Sequence, residues 1–225
     1  MSSKGSCMNK TIMEKSKKSR KRGYFLYDFG KITAVIPCLL WYRMKRLYAS
    51  PEAKKKIKGG AILISNHSGN VDPIAIMTAV WYRRHHFIAT KELFEGKLKR
   101  FMFEIFHCIE IDRDNVDMNT FRTIVDHLKG GKLVSMFPEG HMTHTEEVQK
   151  FKSGMVLMAF TAKKPIVPMY IKKRKSLWQR QVVVLGEPID PADMLGKMPS
   201  LADMDKVAAY LHEQERALKA IADQH

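Results

Sequence analysis

AILISNHSGNVDPIAIMTAVWY, residues 61–82, is the stretch on which the fold decision turns. Ala61–Ser65 is a short apolar run between Gly59-Gly60 and a polar segment, and it reads as a buried strand. Ser68-Gly69-Asn70 is small and turn-forming. Asp72 as N-cap and Pro73 as first helical residue open a helix over Pro73–Tyr82. The alternation continues downstream. His86–Thr90 reads as a strand, Leu93–Phe106 as a helix and Cys108–Asp112 as a strand. Met118, Phe121, Val125 and Leu128 keep helical spacing until Gly130-Gly131. Lys132–Phe137, Ile166–Ile171 and Gln181–Leu185 read as strands, with a helix over Gly154–Ala162 between the first two. Leu201, Met204, Val207, Ala208, Leu211, Leu218 and Ile221 mark a final amphipathic helix. Strands alternating with helices predict an α/β fold, a layered domain with a mostly parallel central sheet flanked by helices.

Upstream the character changes. The chain of 225 residues is 45% hydrophobic, enough for one sizeable core, yet its net charge of +16 is lopsided. Residues 1–58 hold 16 Lys and Arg against three acids, and the rest hold 23 against 20. A basic tail before a nearly neutral domain points to a polyanion, either nucleic acid or an anionic lipid surface. No nucleic-acid-binding motif is recognisable, and the charge lies outside the folded part, so the lipid surface is the expected partner. Residues 1–22 are polar and Lys/Ser-rich and are expected to be disordered. Ile32–Tyr42 is an uncharged run of 11 residues, about half of the roughly 20 that a spanning helix needs. Aromatics (Tyr24, Phe25, Tyr27, Phe29, Trp41, Tyr42) and the bases Arg43, Lys45 and Arg46 flank it. Residues 23–58 are therefore expected to be an amphipathic membrane-interface segment, a helix or helix pair lying in the interface. The alternative is a first helix packed on the core. Three widely spaced cysteines, Cys7, Cys38 and Cys108, form no disulfide framework and suit a reducing, cytosol-facing setting. No apolar run marks a secretory signal. The expectation is a peripheral or monotopic protein on the cytoplasmic face of a membrane.

Chemistry concentrates at the ends of strands, where α/β sheets commonly carry their sites. His67 follows the first strand and Asp72 lies five residues on, at the mouth of the helix. A carboxylate bonded to one imidazole nitrogen fixes the tautomer, and the other nitrogen can then take a proton from a hydroxyl. No Ser or Cys nucleophile is needed if the hydroxyl belongs to the substrate. Taken alone, the spacing equally suits an aspartate that only caps its helix. FPEG, residues 137–140, ends another strand. Pro138 and Gly140 predict a tight turn presenting Glu139 at its tip. Lys91, Arg113 and Lys152 each stand just beyond a strand or at a helix start, where a cation can bind a phosphate. His141 and His144 with Glu146 and Glu147 complete no zinc spacing, so no metal is expected.

The order of these blocks resembles the glycerophospholipid acyltransferase superfamily, specifically its 1-acyl-glycerol-3-phosphate acyltransferases. NHSGNVD (66–72) resembles the family's NHxxxxD block, and Lys91-Glu92-Leu93 through Ile111-Asp112-Arg113 its second. FPEG (137–140) resembles the core of the third, and Ile166-Val167-Pro168 the fourth. The resemblance covers roughly residues 58–190. It implies a glycerol-3-phosphate acyltransferase-like fold, with residues 59–225 as the acyltransferase domain. It further implies transfer of a fatty acyl group from acyl-CoA or acyl-carrier protein to the 2-hydroxyl of lysophosphatidic acid, giving phosphatidic acid in phospholipid biosynthesis, with no other cofactor. By the same resemblance His67 is the general base and Asp72 its partner. Glu139 and Gly140 belong to acceptor binding, Lys91 and Arg113 to the phosphate region, and Lys152 to the stretch between the third and fourth blocks. One departure stands out: the family's Thr-Arg after FPEG is His141-Met142 here, so the usual phosphate-holding arginine is missing. A different lyso-lipid acceptor, or a thioesterase or hydrolase using the same pair, are the alternatives. A non-catalytic protein of the same fold is disfavoured by intact His67, Asp72 and Glu139.

Overall fold

Ala61–Ser65 is strand β2, and all five of its residues are buried. Burial on both faces follows from helices covering both sides of the sheet. Ile62 and Ile64 face a cluster formed with helices α4 (Met118–Lys129), α5 (Gly154–Ala162) and α6 (Leu201–Asp223). Ala61 and Leu63 face the opposite cluster, formed with α2 (Asp72–Ala79). The period of two along a strand thus sorts one short sequence into two cores.

The computed structural model describes residues 24–33, 37–38, 40–41, 43–69, 71–112, 117–139, 151–174, 176 and 178–225. The remaining strands are β1 (Lys45–Tyr48), β3 (His85–Thr90), β4 (Ile109–Ile111), β5 (Leu133–Met136), β6 (Ile166–Ile171) and β7 (Val182–Leu185). They form one seven-stranded sheet in the order β1-β7-β6-β2-β5-β3-β4. Every pairing is parallel except β6 with β7. Strands β2 to β6 therefore end at a common edge, and β7 begins there. Central β2 pairs Ala61 with Leu133 on one side and Ile62 with Ile166 on the other. The mostly parallel α/β sheet expected from the alternation is the one observed.

Three local boundaries differ from the sequence reading. Helix α2 starts at Asp72, with Val71 in the N-cap position, and ends at Ala79. Asp72 is thus the first helical residue and not the cap. The helix expected over 93–106 is a short 3₁₀ turn, Lys91–Phe94, followed by α3 (Lys97–Ile105). Gly96, at a φ of 90°, breaks it, a backbone angle that glycine adopts without steric cost. Lys45–Tyr48, inside the stretch read as interfacial, is an edge strand on β7. Nearby Ala53 and Ile57 are buried, so the sheet domain's share of the chain reaches back to Lys45.

Residues 24–33 form helix α1, which packs on the domain. Tyr27 is fully buried; its hydroxyl accepts from the His85 N–H at 2.7 Å and donates to the His85 carbonyl at 3.2 Å. Arg84 forks onto both oxygens of Asp28, at 2.8 and 2.6 Å. Lys31 donates to the Arg83 carbonyl. The outer side of α1 keeps Phe25, Phe29 and Ile32 exposed. Among the described residues no helix is long and apolar enough to cross a membrane. The tail, residues 1–22, lies outside the described residues.

Candidate active site

The loop leaving β2 is wound around one carboxylate oxygen. Asp72 Oδ2 accepts from the backbone N–H of Ser68 at 2.7 Å and of Gly69 at 2.8 Å, and it meets His67 Nδ1 at 3.1 Å. The small Ser68-Gly69 pair lets the chain curl tightly enough for both N–H groups to point inward. Starting the helix at Asp72 aims its side chain back at this loop and away from a capping role. The Asp72 side chain is buried and His67 is partly so. A carboxylate opposite Nδ1 holds the proton on that nitrogen, which leaves Nε2 as the basic one. Phe137, just past β5, stacks on the imidazole with ring centroids 4.0 Å apart and planes 16° apart. Hydrogen bond and stack together fix the ring in two directions.

Asn66, the residue before His67, locks the loop to the sheet. Its side-chain amide donates to the Ile171 carbonyl at 3.0 Å, and its Oδ1 accepts from the Ile171 N–H at 2.8 Å. The amide thus continues the β2–β6 contact one residue past the end of β2, onto the last residue of β6. Glu139 follows β5, on the same edge. The sequence placed it at the tip of a tight turn, and the structure buries it at 4% exposure. A buried carboxylate is costly unless polar groups meet it, which marks Glu139 as a site residue and not solvated surface.

The expected cations divide. Lys91 stands at the end of β3 and is exposed, and its ammonium pairs with Asp112, just past β4, at 2.6 Å. Surface pairs of this kind contribute about 0–1 kcal/mol. Lys152 is exposed two residues before α5. Arg113 and Gly140 lie outside the described residues, as do His141, His144, Glu146 and Glu147. The described members, His67, Asp72, Lys91, Glu139 and Lys152, all stand at the edge where the parallel strands end.

Three residues at the site went unread in the sequence. Asn66 was quoted only as part of a motif, although an amide directly after a buried strand is a candidate ladder extender. Phe137 was counted as a strand residue. Glu215, on α6, lies fully buried and close enough to Glu139 and the Asn66 N–H to be acted on by both. Its signal was available, since it is an acid in the middle of the face formed by Leu211 and Leu218. Chemically, the arrangement offers an oriented imidazole base beside a buried carboxylate, with cations further along the edge. It suits proton removal from a hydroxyl during attack on an activated carbonyl.

Comparison with known proteins shows the family. A family model described as Acyltransferase matches residues 45–172, from the start of β1 to just past β6. The chain is 29% identical to the 1-acyl-sn-glycerol-3-phosphate acyltransferase of Bacillus subtilis, over 73% of this chain and 84% of that protein. It is 26% identical to a probable 1-acyl-sn-glycerol-3-phosphate acyltransferase of Mycoplasma pneumoniae, over 72% and 69% respectively. Among solved structures, the crystal structure of the 1-acyl-sn-glycerophosphate (LPA) acyltransferase from Thermotoga maritima matches with a TM-score of 0.60 at 20% identity. That match covers 92% of this chain and 82% of the other, and it is a likeness of fold.

Proposed function

The chain belongs to the acyltransferase family, and on that premise we propose that it moves a fatty acyl group from acyl-CoA or acyl-carrier protein to the 2-hydroxyl of 1-acyl-sn-glycerol-3-phosphate, giving phosphatidic acid. The observation that carries the reading is the 3.1 Å contact between His67 Nδ1 and Asp72 Oδ2 at the exit of β2. In this mechanism Nε2 of His67 takes the proton of the acceptor hydroxyl as its oxygen attacks the thioester carbonyl. The tetrahedral oxyanion collapses, the C–S bond breaks, and the leaving thiolate takes the proton back from the imidazolium. Asp72 holds the ring and stabilises its charged form. A positioned base supplies about 10²–10⁴-fold. The thioester is already activated, so no covalent enzyme intermediate is required.

Glu139 and Gly140 hold the acceptor in this reading. Lys91, Arg113 and Lys152 supply the positive charge that His141 in the usual Thr position, and the absent arginine after it, do not. The exposed apolar residues of α1 and α3 support attachment to the cytoplasmic face of a membrane, as a peripheral or monotopic protein. On α3, Leu98, Phe101 and Met102 are exposed on one side among Lys97, Lys99 and Arg100. That combination suits an anionic lipid surface.

An acceptor panel tests the proposal. Purified protein is given one acyl-CoA with lysophosphatidic acid, glycerol 3-phosphate, other lysophospholipids or a neutral monoacylglycerol. Phosphatidic acid should form with the first, and His67→Ala should lower the rate by about 10²-fold or more. Thioester loss that ignores the acceptor would replace this reading with hydrolysis.

A further inference from the structure

Helix α6 carries one charged residue within its buried stripe. Leu211, Glu215, Leu218 and Ala222 follow one another at helical spacing, all buried. Neither carboxyl oxygen of Glu215 reaches hydrogen-bond geometry with a partner among the described residues. A helix needing only apolar grip here would carry Leu or Met, since an unbonded buried polar group costs about 1–3 kcal/mol. Two polar groups act on this carboxyl. One is the Asn66 backbone N–H, near enough to favour the charged form though short of a full hydrogen bond; the other is Glu139. Both border the candidate base. Asn66 precedes His67 in the chain, and Glu139 ends the turn whose Phe137 stacks on the imidazole. The far end of α6 is tied to the same region, because Lys172, just past β6, donates to the Ala222 carbonyl at 2.9 Å.

We infer that Glu215 is a positioning residue for acyl transfer, coupling Asn66 and Glu139, and through them His67, to the C-terminal helix. The inference rests on the acyl-transfer reading above. Burial pushes the Glu215 carboxyl well above the usual carboxylate range, and the Glu139 charge pushes the same way. Both effects favour the proton-bearing form of Glu215, which sets a polar group without charge beside Glu139. With an apolar side chain in its place, Glu139 and the Asn66 N–H would lose the polar group that α6 brings to them. The Asn66–Glu139 side of the site would then shift, and a displacement of about 1 Å near the chemistry can cost about 10²-fold.

Two near-isosteres separate the polar role from the packing role. Glu215→Gln and Glu215→Met both keep the shape and carry no charge, and only Glu215→Gln keeps the polarity. Both are assayed beside wild type with acyl-CoA and lysophosphatidic acid, with thermal unfolding as the check on folding. Glu215→Gln should hold kcat within about threefold, and Glu215→Met should lower kcat about tenfold or more with KM for acyl-CoA within about twofold. Full kcat in a folded Glu215→Met protein overturns the inference and leaves the acyl-transfer reading standing. So does a loss of about tenfold in Glu215→Gln, which decides the matter even if Glu215→Met does not fold. Absence of transfer by wild type itself overturns the functional reading, and this inference with it.

Discussion

A single oxygen, Asp72 Oδ2, gathers the His67 ring and two backbone N–H groups. Asn at this position keeps an oxygen for the Ser68 and Gly69 N–H groups, so the loop can hold. What it loses is the charge, and its amide can present N–H to His67 and so favour the tautomer with the proton on Nε2. Asp72→Asn should therefore lower kcat by about 10²–10⁴-fold while the thermal midpoint moves little. Steady-state kinetics beside a melting curve would read both, and activity within a few-fold of wild type would remove Asp72 from the mechanism. At this scale the site was half legible. His67 and Asp72 stand out because an imidazole and a carboxylate flank a turn after a buried strand. The Asp-Pro pair equally fits a helix cap, and only the fold shows the side chain turned back into the loop. The turn that presents Glu139 could be read from Pro138 and Gly140, but its burial could not, because turn residues are usually exposed. Glu215 was passed over because a search for amphipathic spacing counts the apolar positions and skips an acid among them.

Elements were legible in proportion to how strongly burial shaped them. Gly154–Ala162 and Ile166–Ile171 match their expected limits because both are nearly uniform apolar runs between polar breaks. KRLY, the edge strand β1, was missed because an edge carries charge on purpose, and its Lys45 and Arg46 read as a flank of the preceding apolar run. Helix α3 is the opposite case. None of its residues is buried, although its apolar and basic positions are sharply segregated. Leu98 is 76% exposed and Phe101 55%. On α1, Phe25 is 71% exposed, while Tyr27 on the inner side is fully buried. Tyr27 of α1 meets Phe106, the residue that caps the end of α3, with ring centroids 5.6 Å apart. An outer apolar side on each of two helices joined through that contact is the basis for a single lipid-facing surface. Leu98→Asp combined with Phe101→Asp should leave folding intact, because neither side chain is buried. Each apolar side chain withdrawn from lipid costs about 1.5–3 kcal/mol, so vesicle affinity should drop by at least about tenfold. Co-sedimentation with mixed phosphatidylcholine–phosphatidylserine vesicles measures it, and unchanged binding would move the lipid contact elsewhere.

Across the whole molecule the charge is segregated more sharply than the fold requires. Residues 1–22 hold eight Lys and Arg and one acid, whereas residues 59–225 are nearly balanced. A short-range apolar contact and a long-range electrostatic one respond differently to salt. Apolar burial is little affected by moderate ionic strength, but attraction between exposed charges fades beyond a Debye length of about 8 Å at physiological salt. Each basic residue held near an anionic leaflet contributes about 1 kcal/mol at most. If the tail supplies that attraction, removing residues 1–22 should weaken binding to anionic vesicles at low salt and make the remaining binding less salt-dependent, since the bases of residues 23–58 and of α3 stay. Binding to neutral vesicles should barely change, since it would depend on α1 and α3. The Leu98→Asp/Phe101→Asp protein should show the reverse pattern: weak binding to neutral vesicles, with the salt dependence on anionic ones retained. Titrating both proteins against each vesicle type at several salt concentrations separates the contributions. A truncated protein with the same salt slope as the full chain would show that the tail's charge serves some other polyanion.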